Sequence, residues 1–226
     1  GGPLYNTTSP LNGNTTTLFG SYCDAESTND ESFLYIDDIE FIGTLNDVTN
    51  LGSGYSSAFP VGYQNFTGLT NSIQAQGEGI NVSVEALSRG HIKAWVDWNN
   101  DTAFDNTTEL VYDTGSIGTS STTFGFIIPA AQPVGNYRIR IRIFNSFNGA
   151  AENYSYDFDS CEEFDTNGGY NEYGEAEDYL FTVVESCSAI IETITEADNC
   201  GPGTVDLAAS GSTGTVQYHW YTNETD

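Results

Sequence analysis

The run Tyr137-Arg138-Ile139-Arg140-Ile141-Arg142-Ile143 constrains this fold more than any other part of the chain. Its polarity alternates at period two, which places three guanidinium groups on one face of a β-strand and Tyr and Ile on the other. The chain holds only 5 basic residues against 32 acidic ones, so gathering three cations on one strand requires something anionic opposite them. The natural partner is the segment Tyr173-Gly174-Glu175-Ala176-Glu177-Asp178-Tyr179, whose carboxylates sit at the mouth of the apolar run Leu180-Phe181-Thr182-Val183-Val184. Arg138, Arg140 and Arg142 are therefore expected to form an ion-pair ladder with Glu175, Glu177 and Asp178 on a neighbouring strand, in partly shielded bidentate pairs. This is a structural reading. Paired carboxylates on their own are a weak signal for glycoside hydrolysis, and no other constellation supports one.

Alternation predicts further strands at Tyr35 to Phe41, Ile80 to Ala86, His91 to Trp98, Glu109 to Tyr112, Thr122 to Ile128, Tyr137 to Phe144 and Asp178 to Val184. Arg89-Gly90 reads as the turn between the second and third of these, and Pro133-Val134-Gly135-Asn136 as the turn before the arginine strand. With 24 Gly, 14 Tyr and 13 Phe, the composition suits short strands joined by polar turns. The expected class is all-β, an antiparallel β-sandwich of jelly-roll or immunoglobulin-like type. The stretch from Asn145 to Tyr173 is too long for an ordinary connection and holds Tyr154, Tyr156, Phe158, Phe164 and Tyr170. Two readings of it stay open: aromatics folding back over the core edge beside Cys161, or a sugar-stacking surface.

A second feature lies at Trp95-Val96-Asp97-Trp98-Asn99-Asn100-Asp101-Thr102-Ala103-Phe104-Asp105, where a strand-like run ends in side-chain oxygens at alternate positions. Asp97, Asn99 and Asp101 occupy positions 1, 3 and 5 of a D-x-[DN]-x-[DN] calcium loop, with the Ala103 carbonyl, Asp105 and Glu109 within reach. The loop has Thr102 where an EF-hand has Gly and Thr108 where it has Glu. No EF-hand is implied, and the same pattern also occurs in metal-free Asx-turns. Calcium is the expected cofactor, as a stabiliser and not a reactant.

Composition excludes several functions. A formal charge of −27 with one Lys disfavours nucleic acid and anionic membranes as partners, since both reward a basic surface. No apolar run is long enough for a helical membrane span. No Ser/His/Asp set, Cys nucleophile or His metal triad is visible, so no catalytic residue is expected. His91 and His219 lie in strand-like runs and read as packed strand residues. The four cysteines lack His partners at ligand spacing, which favours disulfides in an oxidising compartment over zinc, and sequence alone allows three pairings.

Taken in order, these pieces resemble the GEVED domain of secreted and cell-surface proteins of Bacteroidetes. The resemblance runs from Tyr22-Cys23 through Tyr35-Ile36-Asp37-Asp38-Ile39-Glu40-Phe41 and Gly62-Tyr63-Gln64-Asn65-Phe66-Thr67 to Trp95-Val96-Asp97-Trp98-Asn99, Asp101 and Phe104. It continues through Pro129, Gly135-Asn136-Tyr137-Arg138-Ile139-Arg140 and Cys161 to Gly174-Glu175-Ala176-Glu177-Asp178-Tyr179, with Ala176 where the family's name has Val. The other departure is Thr102-Ala103, where the family's loop would have an Asp-Gly-Asp sequence. The resemblance implies an all-β, non-catalytic module of large exported proteins, among them adhesins and appendages of hydrolases, which commonly leave the cell by type 9 secretion. It also makes Asp101-Thr102-Ala103 resemble that phylum's O-glycosylation pattern, with the glycan on Thr102.

The expected organisation is a linker or incoming strand over residues 1–20, the module over 21–185, and the start of an immunoglobulin-like domain over 186–226. That last part is too short for the roughly 100 residues of a complete sandwich. Gly1 in place of Met, with no leading apolar segment, suggests a processed start. The organisation favours Cys23 pairing with Cys161 and Cys187 with Cys200, each inside one folding unit. The reading is an extracellular or cell-surface module whose partners are neighbouring domains of its own chain, surface glycans or other surface proteins. A carbohydrate-binding module on a secreted hydrolase is the alternative, and it would need coplanar exposed aromatics.

Overall fold

A computed structural model describes residues 21–27, 33–148, 151–152, 157–167, 170–186, 191–195 and 208–211. The described residues form strands, bridges and turns without a helix. The strands are β1 (Ile36–Ile42), β2 (Val48–Leu51), β3 (Tyr63–Asn65), β4 (Ser72–Ala75), β5 (Gly79–Val96), β6 (Leu110–Asp113), β7 (Thr119–Ile127), β8 (Gly135–Asn148), β9 (Ala151–Glu152), β10 (Thr166–Asn167) and β11 (Tyr170–Val184). In the tail, β12 (Ile191–Thr195) and β13 (Ala208–Gly211) pair antiparallel as a separate two-stranded sheet.

The 18-residue β5 organises the molecule. Its first half, Gly79 to Glu85, is flanked by β1 and β7, and its second half, His91 to Val96, pairs with β8, with β6 alongside. One strand thus belongs to two sheets, which curl over each other as the two layers of a sandwich. The pairings are antiparallel, as expected, except that β3 and β4 run parallel to β11 along its free edge. The expected turn at Arg89-Gly90 is corrected: both residues lie inside β5, at a register irregularity between Glu85 and Gly90. A Cβ on Gly90 would stand 2.4 Å from Ile143 Cγ1, so glycine is used here for close approach of the neighbouring strand β8 and not to reverse the chain.

Period two then sorts the side chains. Ile92, Ala94 and Val96 of β5, Ile139, Ile141 and Ile143 of β8, and Tyr179, Phe181 and Val183 of β11 share the inner face. They pack against Ile36, Ile39 and Phe41 of β1 and Ile80, Val82 and Val84 of β5, all buried. Burial of each Ile, Val or Phe side chain among them contributes roughly 1.5–3 kcal/mol. The outer face of the second sheet is covered as well. Trp95 and Phe144 lie under Phe104, Phe158 and Phe164 in a second apolar cluster. The aromatic stretch beyond Asn145 folds back over the core edge through Phe158 and Phe164; Tyr154 and Tyr156 lie outside the described residues. Residues 157–164 are thus a third layer on the second sheet.

Candidate functional site

The arginine face lies beneath this third layer. Asp178 of β11 stands opposite Arg140 of β8 in the register, and the two meet through a fork of Arg140 Nε to Oδ1 at 2.7 Å and Nη2 to Oδ2 at 2.9 Å. Both side chains are fully buried. Arg138 Nη1 and the Tyr63 hydroxyl also donate to Asp178 Oδ2, at 3.0 and 2.8 Å. Burial, followed by the Asp178 charge, holds the Tyr63 phenol above its ordinary range.

The remaining guanidinium protons tie down the covering segments. Arg140 donates to the Ser160 and Cys23 carbonyls at 3.0 and 2.8 Å. Arg142 donates to the Asp159 and Glu162 carbonyls at 2.7 and 2.8 Å, and its guanidinium lies 4.1 Å from the Phe164 ring centre. Burial and the neighbouring Arg140 charge push the Arg142 guanidinium below its ordinary pKa, against the opposing charges of Asp159 and Glu162. Lys93 continues the row from β5, bonding Asp157 and the Phe158 carbonyl. The two covering pieces are joined covalently by Cys23–Cys161, with the Cα atoms 5.7 Å apart. Cys187 and Cys200 lie outside the described residues.

The expected ladder is corrected in one respect. Glu175 and Glu177 do not face the arginines, because they pair with Ile143 and Ile141 and so point to the inner face, along with Tyr179. Ala176 stands opposite Arg142 and Leu180 opposite Arg138, which leaves Asp178 as the carboxylate that meets the arginine row. Nor do the carboxylates sit at the mouth of a strand, since β11 begins at Tyr170. Glu175 is instead held by the Ile36 amide at 2.7 Å and Gln64 Nε2 at 2.8 Å, while Glu177 Oε2 accepts the Tyr179 hydroxyl at 2.7 Å.

The loop after β5 closes on its own amides. Asp97, fully buried, accepts the Asp101 amide on Oδ1 at 3.2 Å and the Thr102 amide and Tyr22 hydroxyl on Oδ2 at 3.1 and 2.5 Å. Asn99 Oδ1 accepts the Asp101 amide, Asp101 Oδ1 accepts the Ala103 amide, and Asp105 Oδ1 takes the amides of Thr107 and Thr108. Those two amides hold the Asp105 carboxyl below its ordinary range. Glu109 accepts the amides of Trp98 and Asp105, and burial raises its pKa. Asn100 and Thr102 adopt positive φ of 55° and 71°, the left-handed geometry that lets the loop wrap the Asp97 carboxylate. Thr102 is partly exposed. Among the described residues no three acidic, His or Cys side chains are gathered as a metal would require. The loop offers oxygen donors of the hard type calcium prefers, but most already accept a hydrogen bond. The fit is that of a weak site at most.

Most of this site, from the second half of β5 through β8 and the cover to β11, lies within one matched segment. Residues 91–182 match the family model of the GEVED domain. No curated protein matches the chain. The GEVED segment contains Asp97, Glu109, Lys93, the three arginines, Cys161 and all three signature carboxylates, whereas Tyr22, Cys23, Tyr63 and Gln64, which complete their bonding, come from outside it. Sequence reasoning missed two of these completing groups in particular, the Tyr22 hydroxyl on Asp97 and the Tyr63 hydroxyl on Asp178. Both reach their partners across the fold, and nothing local to either tyrosine signals it.

Proposed function

We propose that this chain is a non-catalytic, extracellular β-sandwich module of a larger secreted or cell-surface protein of adhesin type, serving as a stable unit between neighbouring domains. The observation that carries the reading is that the family's signature polar residues are consumed internally. Glu175, Glu177, Asp178 and Arg140 are all fully buried and bonded within the fold, so the motif builds the module and presents no reactive group to solvent. The GEVED match, the disulfide and the all-β architecture support the same view. Among the described residues no helix is long and apolar enough to cross a membrane. A sugar-stacking surface would need exposed coplanar rings, and Phe59 is the one aromatic residue among those described that is largely exposed, at 82%.

Within this reading, calcium is a weak structural ligand of the loop from Asp97 to Glu109. Asp97, Asn99, Asp101, Asp105 and Glu109, with the Ala103 carbonyl, would hold it, and the ion would neutralise the loop's carboxylates. Thermal unfolding in a chelator and in millimolar calcium tests this. At about ten times Kd, binding to the native state alone adds about 1.4 kcal/mol, and the melting temperature rises by a few degrees. Identical melting in both buffers, with no heat of binding by calorimetry, removes calcium from the reading. Binding of the module to host or bacterial surface preparations without any turnover of glycans or peptides tests the module role itself; measurable hydrolysis would overturn it.

A further inference from the structure

Glu175 and Glu177 are the most unusual side chains in the fold. Both are fully buried, and they sit two residues apart on the inner face of β11, level with Ile143 and Ile141 of β8. The same face continues as Tyr179, Phe181 and Val183. Two carboxylates in an apolar core require either a cation or a proton, because a bare charge there lacks the solvation that water would provide.

Among the described residues the surroundings supply no cation. From β1 the pair meets the Ile36 amide and, as a further negative charge, Asp37. From β3 it meets Gln64, from β8 its register neighbours Ile143 and Ile141, and from the chain after β2 the Ser53 side chain and the Ser56 amide. On β11 itself the Tyr179 hydroxyl donates to Glu177 Oε2 and accepts from Asn50 Nδ2 at 2.8 Å. All five basic residues of the chain are accounted for elsewhere. Lys93, Arg138, Arg140 and Arg142 lie on the outer face of the second sheet, and Arg89 is exposed. His91 pairs with Asp113 on that outer face too. Glu175 has donors on both oxygens, whereas Glu177 Oε1 has no hydrogen-bond partner among the described residues. The unpartnered oxygen is where a negative charge would be least tolerated and a proton most useful.

We propose that the Glu175/Glu177 pair is a proton-held clasp: the folded module keeps a proton on the pair, and losing it loosens the seam where β11 meets β1, β3 and the chain around Ser53. Burial drives both carboxyls upward, Glu175 further by the charge of Glu177. Glu177 is pushed up to about 7. The two share the proton as a coupled pair. The sign follows from linkage. A carboxyl whose folded pKa lies above its unfolded value gives stability that is fully present below the unfolded value, about 4.3, and is lost as pH rises through the folded one. The clasp is therefore closed in mild acid and strained above neutrality. Carboxyls with lowered values, such as Asp47, Asp105 and Asp113, act in the opposite sense at more acid pH and do not overlap this window.

The test uses the full chain, with Glu177→Gln and, as a control, Glu185→Gln at an exposed position. Melting temperature is followed from about pH 5 to about pH 8. The parent and the Glu185→Gln protein should lose several degrees across that range, and Glu177→Gln, which keeps the shape without the charge, should lose less than half as much. Infrared spectra of the unaltered chain at about pH 6 should show a protonated carboxyl C=O band, since ordinary carboxylates are ionised there. That band does not depend on whether the variant folds. Absence of the band, or a Glu177→Gln slope parallel to the parent's, overturns the proposal.

Discussion

Replacing Arg140 with Met should destabilise the module more than any other single change on the outer face. Arg140 makes two bonds to Asp178 and one each to the Ser160 and Cys23 carbonyls, all within a region closed to solvent. Met fills much of the volume but supplies no donor. Asp178 would keep Arg138 Nη1 and the Tyr63 hydroxyl, so it would not be wholly bare. Removing one partner of a buried pair costs about 3–5 kcal/mol, and each orphaned carbonyl adds on the order of 1 kcal/mol or more. These losses share one network and do not add fully, so a total of about 4 kcal/mol is expected. The double replacement Arg140→Met with Asp178→Leu should recover part of that loss, because it removes the stranded charge. Urea unfolding of the parent, both single variants and the double variant closes the cycle. If Arg140→Met costs under about 1 kcal/mol, or if the cycle shows no coupling, the bidentate pair is not what holds the cover on the sheet.

Two other outcomes follow from the same geometry. Cys23→Ser with Cys161→Ser opens a link between residues 138 positions apart and should lower stability by about 5 kcal/mol in the chain-entropy model, measured by denaturant unfolding against the oxidised parent. Gly174→Ala should be among the most damaging small substitutions, because the added Cβ would stand 2.2 Å from the Ile143 carbonyl and 2.7 Å from the Phe164 ring; a loss of about 2 kcal/mol or more is expected, and a variant that melts like the parent refutes the close approach.

How far the sequence could be read is best judged on particular residues. The Tyr137 to Phe144 alternation located β8 and both of its faces, because arginines on one face and Tyr and Ile on the other make the period of two visible. The same rule, applied to β11, would have separated its acids. Glu175 and Glu177 are in phase with Tyr179, Phe181 and Val183, while Asp178 is out of phase with them, so all three could never face the arginines. Treating the acids as one cluster obscured that parity. Gly90 was misread because glycine marks both turns and close approach, and only the position of Ile143 on the neighbouring strand β8 decides between them. The two- to four-residue strands β2, β3, β4, β9 and β10 were not legible, since so few residues carry no measurable period and their pairing is set by the strands they join. In the Asp97 loop the alternating oxygens were visible, but whether they turn outward to an ion or inward to amides depends on the backbone curl at Asn100 and Thr102.

The continuous β5 has a mechanical consequence. In a sandwich whose layers are joined only through side chains, a pull on one end can slide one sheet off the other. Here the first layer is carried on residues 79–85 and the second on residues 91–96 of the same strand. Shear between the layers must therefore stretch a covalent backbone before it can break the apolar contacts. The strand that carries the ladders to β1 and β7 also carries those to β8 and β6, so load on either layer passes to the other along one backbone.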